Sequence, residues 1–264
     1  MENRCNPIGQ HEIQTSVNPE LSLDPSGEVR TIRTPQARKP PMDRVAQFVL
    51  SRTVPPVASE TANQWTHAFG WFLSIVGSIP LMWVLTSRGG TWELLGGTIY
   101  VVTLVALYGA STLSHSFDDP TRRHVFRMID QICIFLTMVG QYTAFSVAHL
   151  RSGPWWVLLS LMWVLAVIGI IARIRAGERS VHHGWFLSMC IFPVIAVGQV
   201  FAITGMVGLS YVLLGGAAYL VGLWFFVNDH RHIYYHAVWH CCVILGSVLH
   251  YVFLYRALVS PSVV

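Results

Sequence analysis

Tyr234-Tyr235-His236-Ala237-Val238-Trp239-His240-Cys241-Cys242-Val243-Ile244-Leu245 is a run apolar enough to lie in a lipid bilayer, and it carries two histidines four residues apart. On a helix that spacing puts both imidazoles on one face, one turn apart, as two ligands of a single metal require. Polar groups are costly inside a bilayer, so an intramembrane histidine pair points to a functional site. A third ligand has to come from elsewhere in the chain.

Similar apolar stretches recur upstream. The chain has 264 residues and a net charge of +4, with 53% hydrophobic against 11% charged residues, a balance that does not suit a soluble domain. Seven stretches near the length needed to cross hydrocarbon, roughly 20 residues each, are separated by short polar breaks. They run approximately Trp65–Thr86, Trp92–Ser116, Met128–Ala148, Trp155–Ala172, Gly184–Ile203, Leu209–Val227 and Tyr234–Arg256. Isolated strands cannot span lipid and the connections are short, so the expected fold is all-α: a polytopic seven-transmembrane helix bundle over residues 57–260. The expected location is the cell membrane.

Residues 1–56 differ. They are polar, nearly devoid of aromatics and rich in proline (Pro7, Pro19, Pro25, Pro35, Pro40, Pro41, Pro55, Pro56). That composition implies a disordered or surface-lying tail, and it lacks the early apolar core of a cleavable signal peptide. Met42–Val54, with Val45, Phe48 and Val49 beside Arg44 and Arg52, reads as an amphipathic helix lying on the membrane surface.

Basic residues orient the bundle. With the N-terminus cytoplasmic, Arg4, Arg30, Arg33, Arg38, Lys39, Arg44, Arg52, Arg122, Arg123, Arg127, Arg173, Arg175, Arg179 and Arg231 lie inside, and only Arg88, Arg151 and Arg256 outside. The C-terminus is then outside. This orientation places Ser111 and His115 near the inner end of the second span, Asp130 in the first turns of the third, His236 and His240 in the first turns of the seventh, and Glu60, Asn63 and His67 at the inner end of the first. Polar residues from four helices share one inner-leaflet layer.

His115, His236 and His240 match a catalytic zinc site, in which three protein ligands leave a fourth position for water. Asp130, the one acid well inside a span, is placed to hold or deprotonate that water. Ser111, one turn before His115, is placed to hydrogen-bond the water or Asp130. Glu60, Asn63 and His67 share one helical face and read as a structural polar seam or gate rather than as ligands. His250 lies 14 residues beyond His236, about 21 Å along a helix, too far to share its metal. Cys5, Cys133, Cys190, Cys241 and Cys242 show no CxxC spacing and read as buried apolar residues. The sole lysine, Lys39, is in the tail, which excludes a retinal Schiff base in the bundle.

Four segments together resemble the hemolysin III family: Glu60-Thr-Ala-Asn63-Gln-Trp-Thr66-His67-Ala-Phe-Gly70; Tyr108-Gly-Ala-Ser111-Thr-Leu-Ser-His115; Asp130 through Gly140-Gln-Tyr142-Thr143; and His236-Ala-Val-Trp-His240 followed by Gly246-Ser-Val-Leu-His250. That family belongs with the progestin and adipoQ receptors, adiponectin receptors included, and is more distantly similar to alkaline ceramidases. The resemblance covers about residues 57–257. It implies a seven-helix bundle with a cytoplasmic N-terminus, zinc on His115, His236 and His240, and Ser111 and Asp130 attending the zinc water. Gln141 and Ala144 stand where the family usually has a small hydroxyl residue and a proline, and Gln131 where it commonly has a histidine. These departures lie off the ligands and bear on substrate fit.

The reading expected from residues and resemblance together is a zinc-dependent intramembrane hydrolase of a lipid amide or ester, ceramidase-like, with Asp130 taking the proton and Ser111 steadying the oxyanion. Its partners are membrane lipids and a lipid-like small molecule, with no nucleic acid. Two rivals come from other classes: a zinc-stabilised, receptor-like lipid sensor without catalysis, and a hemolysin-like pore-former, for which the spans carry few ionisable groups to line a polar pathway.

Overall fold

The computed structural model describes residues 57–176 and 184–259, together with two short strands. The chain divides into two units, Met1–Thr53 and Val54–Val264. In the first, β1 (Leu21–Leu23) pairs antiparallel with β2 (Val29–Thr31), Leu21 opposite Thr31. The surface helix expected over Met42–Val54 lies outside the described residues, as do Lys39, Cys5 and the tail arginines other than Arg30.

The described part of the second unit is helical throughout. Its helices are α1 (Val57–Arg88), α2 (Thr91–Ser114), α3 (Pro120–His149), α4 (Trp155–Ala176), α5 (Gly184–Ile191), α6 (Val197–Val227) and α7 (Tyr235–Val259). A 3-10 turn, Phe192–Ala196, joins α5 to α6, and another, Asp229–Arg231, precedes α7. The helix starts follow local chemistry. Asp119 caps α3 by accepting from the Arg122 backbone N–H at 2.8 Å, and Pro120 occupies the first turn, where its missing N–H costs nothing. Glu60 in the first turn of α1 and Arg88 in its last complement the helix dipole.

Six stretches among the described residues are long and apolar enough to cross a membrane, where the sequence reading counts seven. The difference is Gly184–Val227, a single 44-residue stretch in which the expected polar break at 204–208 does not interrupt the helical assignment. The helical backbone geometry does break there, at Gly205, with φ 66° and ψ −168°. That conformation is open essentially to glycine alone, so one residue with no polar signature ends one helical segment and starts the next. At 1.5 Å per residue, 44 residues extend about 66 Å, roughly twice the thickness of hydrocarbon.

Large apolar side chains face outward on these helices, among them Trp65, Phe72, Ile79, Trp83, Val157, Ile195, Met206 and Leu214. Water would not tolerate such a surface, but acyl chains do. Several threonine hydroxyls bond within their own helix: Thr112 donates to the Tyr108 carbonyl at 2.7 Å and Thr143 to the Val139 carbonyl at 2.7 Å. The buried core combines Leu81 and Leu85 of α1, Tyr100 and Leu104 of α2, Phe135 and Val139 of α3, Met162 of α4 and Leu254 of α7.

Close helix approach relies on small residues. A Cβ added at Gly96 of α2 would sit 2.8 Å from the Cα of Ala144 and 3.0 Å from its carbonyl oxygen on α3, backbone atoms that cannot rotate away. Gly96→Val is therefore expected to lower stability by about 1–3 kcal/mol, the usual scale of overpacking. Thermal unfolding of the purified protein in detergent checks this, and an unchanged midpoint would show that α2 and α3 are looser than described.

Candidate metal site

Helix ends bring the polar residues together. His115 is the C-cap of α2, one residue beyond Ser114, with its backbone already out of helical geometry. His236 and His240 lie in the first two turns of α7, and Glu60, Asn63 and His67 in the first three turns of α1. α3 begins only five residues after His115, and its third turn carries Asp130.

His115, His236 and His240 each offer a ring nitrogen, and these three atoms lie within 4.8 Å of one another. The ring centroids are 5.3 Å apart for His115 and His236, 5.2 Å for His115 and His240, and 4.7 Å for His236 and His240. His115 and His240 are buried and His236 is half-buried.

The Nδ1 partners decide what this cluster can do. His115 Nδ1 is 2.7 Å from Glu60 Oε2, whose other oxygen is 3.4 Å from Arg127 Nη2. His236 Nδ1 is 3.3 Å from Asp229 Oδ2. His240 Nδ1 faces the Asn63 backbone carbonyl at 3.2 Å and Thr66 Oγ1 at 3.1 Å, and the Thr66 hydroxyl already lies 2.9 Å from the carbonyls of both Ala62 and Asn63. Carboxylates and carbonyls can only accept, so each imidazole donates from Nδ1 and leaves its lone pair on Nε2. Three rings in one tautomer, each oriented by an oxygen behind it, form the donor set of a three-histidine metal site with its supporting shell. These residues fit a zinc ion.

Ser111 and Asp130 meet between α2 and α3, Ser111 lying four residues before His115. Ser111, fully buried on α2, donates to Asp130 Oδ2 at 3.2 Å. The Ser111 hydroxyl thus faces Asp130, one of the two partners the sequence reading gives it.

The residues read as a polar seam have specific partners: Glu60 holds His115, the Asn63 carbonyl holds His240, and the His67 ring lies over the His240 ring with centroids 3.5 Å apart. His250 is remote from the cluster and ends a separate polar chain. Tyr108 donates to Ser247 at 2.9 Å, Ser247 meets the Tyr219 hydroxyl at 3.0 Å, and Gln141 bridges Tyr219 at 3.2 Å to His250 at 2.8 Å. Gln141, a departure from the family pattern, is therefore an interhelical link. Sequence reading overlooked Asp229 and Thr66. Asp229 had one usable signal, an acid seven residues ahead of His236, and Thr66 stood in the first family segment with no role until α1 was packed against α7.

The model of the family described as haemolysin-III related matches residues 57–251, which include every residue of this site. The chain belongs to the haemolysin-III family. It is 33% identical over 216 residues to Hemolysin-3 of Bacillus cereus, covering 79% of this chain and 92% of that protein. It is 31% identical over 193 residues to the Hemolysin-3 homolog of Bacillus subtilis strain 168, covering 72% and 90%. The human monocyte to macrophage differentiation factor is 28% identical over 223 residues, covering 80% and 90%. Family membership and the six apolar helical stretches together make this haemolysin-III relative a multi-pass membrane protein.

Proposed function

We propose that this haemolysin-III family member is a zinc-dependent hydrolase that cleaves a lipid amide or ester from within the cell membrane. The observation that carries the reading is the shared tautomer of His115, His236 and His240, whose Nδ1 atoms face Glu60, Asp229 and the Asn63 carbonyl. The bundle crosses the membrane seven times, because Gly184–Val227 is about twice the length of one crossing and breaks at Gly205. The N-terminus is cytoplasmic and the C-terminus outside, as the basic residues favour, which puts the histidine cluster near the inner face.

Zinc held by these rings supplies Lewis acidity toward a carbonyl oxygen and makes water a usable nucleophile near neutral pH. The chain supplies the rest. Asp130 takes the proton of the attacking water and returns it to the leaving group, while the Ser111 hydroxyl on Oδ2 fixes the carboxylate's orientation. Glu60, itself paired with Arg127, keeps His115 in the tautomer that can ligate.

Glu60→Ala removes the acceptor behind His115 and is expected to weaken zinc affinity about 10–100-fold, the usual effect of losing an outer-shell partner. Competition with a calibrated chelator measures this, and an unchanged affinity would detach Glu60 from the site. Hydrolysis itself is tested by fatty acid release from N-acyl amides and acyl esters, with the purified protein in nanodiscs before and after chelation. The reading requires release that chelation removes. No release from any substrate contradicts it.

A further inference from the structure

Two buried side chains beside the histidine cluster carry polar atoms with no hydrogen-bond partner. Asn63 is 5% exposed and His67 3% exposed, yet Asn63 Oδ1 and both ring nitrogens of His67 make no hydrogen bond. They lie four residues apart on one face of α1. The His67 ring lies against His240 at a 35° tilt and meets the Tyr108 ring edge-on, with centroids 5.3 Å apart. Leaving a buried polar atom unpaired is costly, and three such atoms at one spot call for an occupant. Packing alone does not explain them, since an apolar pair would fill the same space without that cost.

We propose that Asn63 and His67 form a recognition subsite for the polar head of a lipid that presents both a hydrogen-bond donor and an acceptor. The inference rests on the three-histidine site described above and adds a specificity element to it. Asn63 Oδ1 can only accept, so the occupant must donate. A neutral imidazole has one N–H and one lone pair, so His67 donates to a carbonyl or hydroxyl oxygen and accepts from a hydroxyl or amide N–H. A plain acyl ester has acceptors alone and would leave Asn63 Oδ1 unpaired. His67 does not join the set of nitrogens within 4.8 Å of one another, so it acts on the occupant and not as a fourth ligand.

The test compares two probes with the same acyl chain, N-oleoylethanolamine and methyl oleate. Binding of each radiolabelled probe to the full chain in nanodiscs is measured on chelator-stripped and zinc-loaded protein, and zinc content is assayed in parallel. The natural protein should prefer the ethanolamide by about 10-fold or more, the scale of leaving one buried polar group unpaired. Asn63→Leu and His67→Phe should lose that preference, bind methyl oleate as before and keep their zinc. His67→Gln, which restores a donor and an acceptor, should recover part of it and guards against a folding defect in the phenylalanine variant. Equal binding of the two probes by the natural protein, a preference that survives both substitutions, or loss of zinc in His67→Phe would each overturn the proposal. A natural protein that shows the preference, loses it in the variants and binds no zinc would uphold the subsite and end the metal reading.

Discussion

Replacing His240 with alanine is expected to lower zinc affinity by at least about 100-fold, from roughly one ion per chain to background in metal analysis of the purified protein. His240 is 1% exposed, and its ring is fixed from behind by the Asn63 carbonyl and Thr66. No other histidine joins the cluster within 4.8 Å to replace the lost lone pair. The His67 ring lies tilted against this ring, so some thermal stability should fall as well. A cavity replaces a buried side chain, and its cost of about 2–5 kcal/mol by analogy with apolar truncations must be separated from metal loss by unfolding both proteins with and without chelator. If the variant retained full zinc, the metal assignment would fail even if the protein were less stable.

Asp130→Asn should reduce turnover by about 100- to 10,000-fold with little change in zinc content, because the amide keeps the shape and the contact with Ser111 but cannot take a proton. The contrast with His240→Ala matters more than either result alone. One substitution removes the metal and the other leaves it in place without a base. Turnover is followed as fatty acid release at saturating substrate, so that a change in binding does not pass for a change in chemistry. Turnover indifferent to Asp130 would end this mechanism, whereas no turnover by either protein would favour the lipid-sensor reading, in which the metal braces α2 against α7 and no bond is broken.

The fold was legible wherever the signal was composition. Long apolar runs between polar breaks marked the helices, but α3 starts at Pro120, capped by Asp119, eight residues before the Met128 read from hydropathy, because its first turns are polar and only capping chemistry marks them. The sequence reading divides Gly184–Val227 into two crossings where the structure keeps one apolar stretch, and the break at Gly205, which carries no charge, appears only in a backbone angle. Within the site, His236 and His240 declared themselves through four-residue spacing, and Ser111 and His115 likewise. What spacing could not convey was the partners behind the rings. Glu60 lies 55 residues from His115, and Asn63 lies 177 residues from His240. Those pairings exist only once α1 packs against α2 and α7, so Glu60, Asn63 and His67 read as a generic seam from sequence although each makes a distinct contact. Gln141 likewise looked like a departure from a family pattern until its bridge between Tyr219 and His250 was visible.

On the proposed reading, three imidazoles from α2 and α7 hold one zinc ion through Nε2. X-ray absorption at the zinc edge of the purified, unsubstituted protein tests it most directly. Three imidazole nitrogens at about 2.0–2.1 Å with one further oxygen and no sulfur are the expected result. A sulfur shell from Cys241 or Cys242, fewer than three imidazoles, or no bound zinc at all would contradict it.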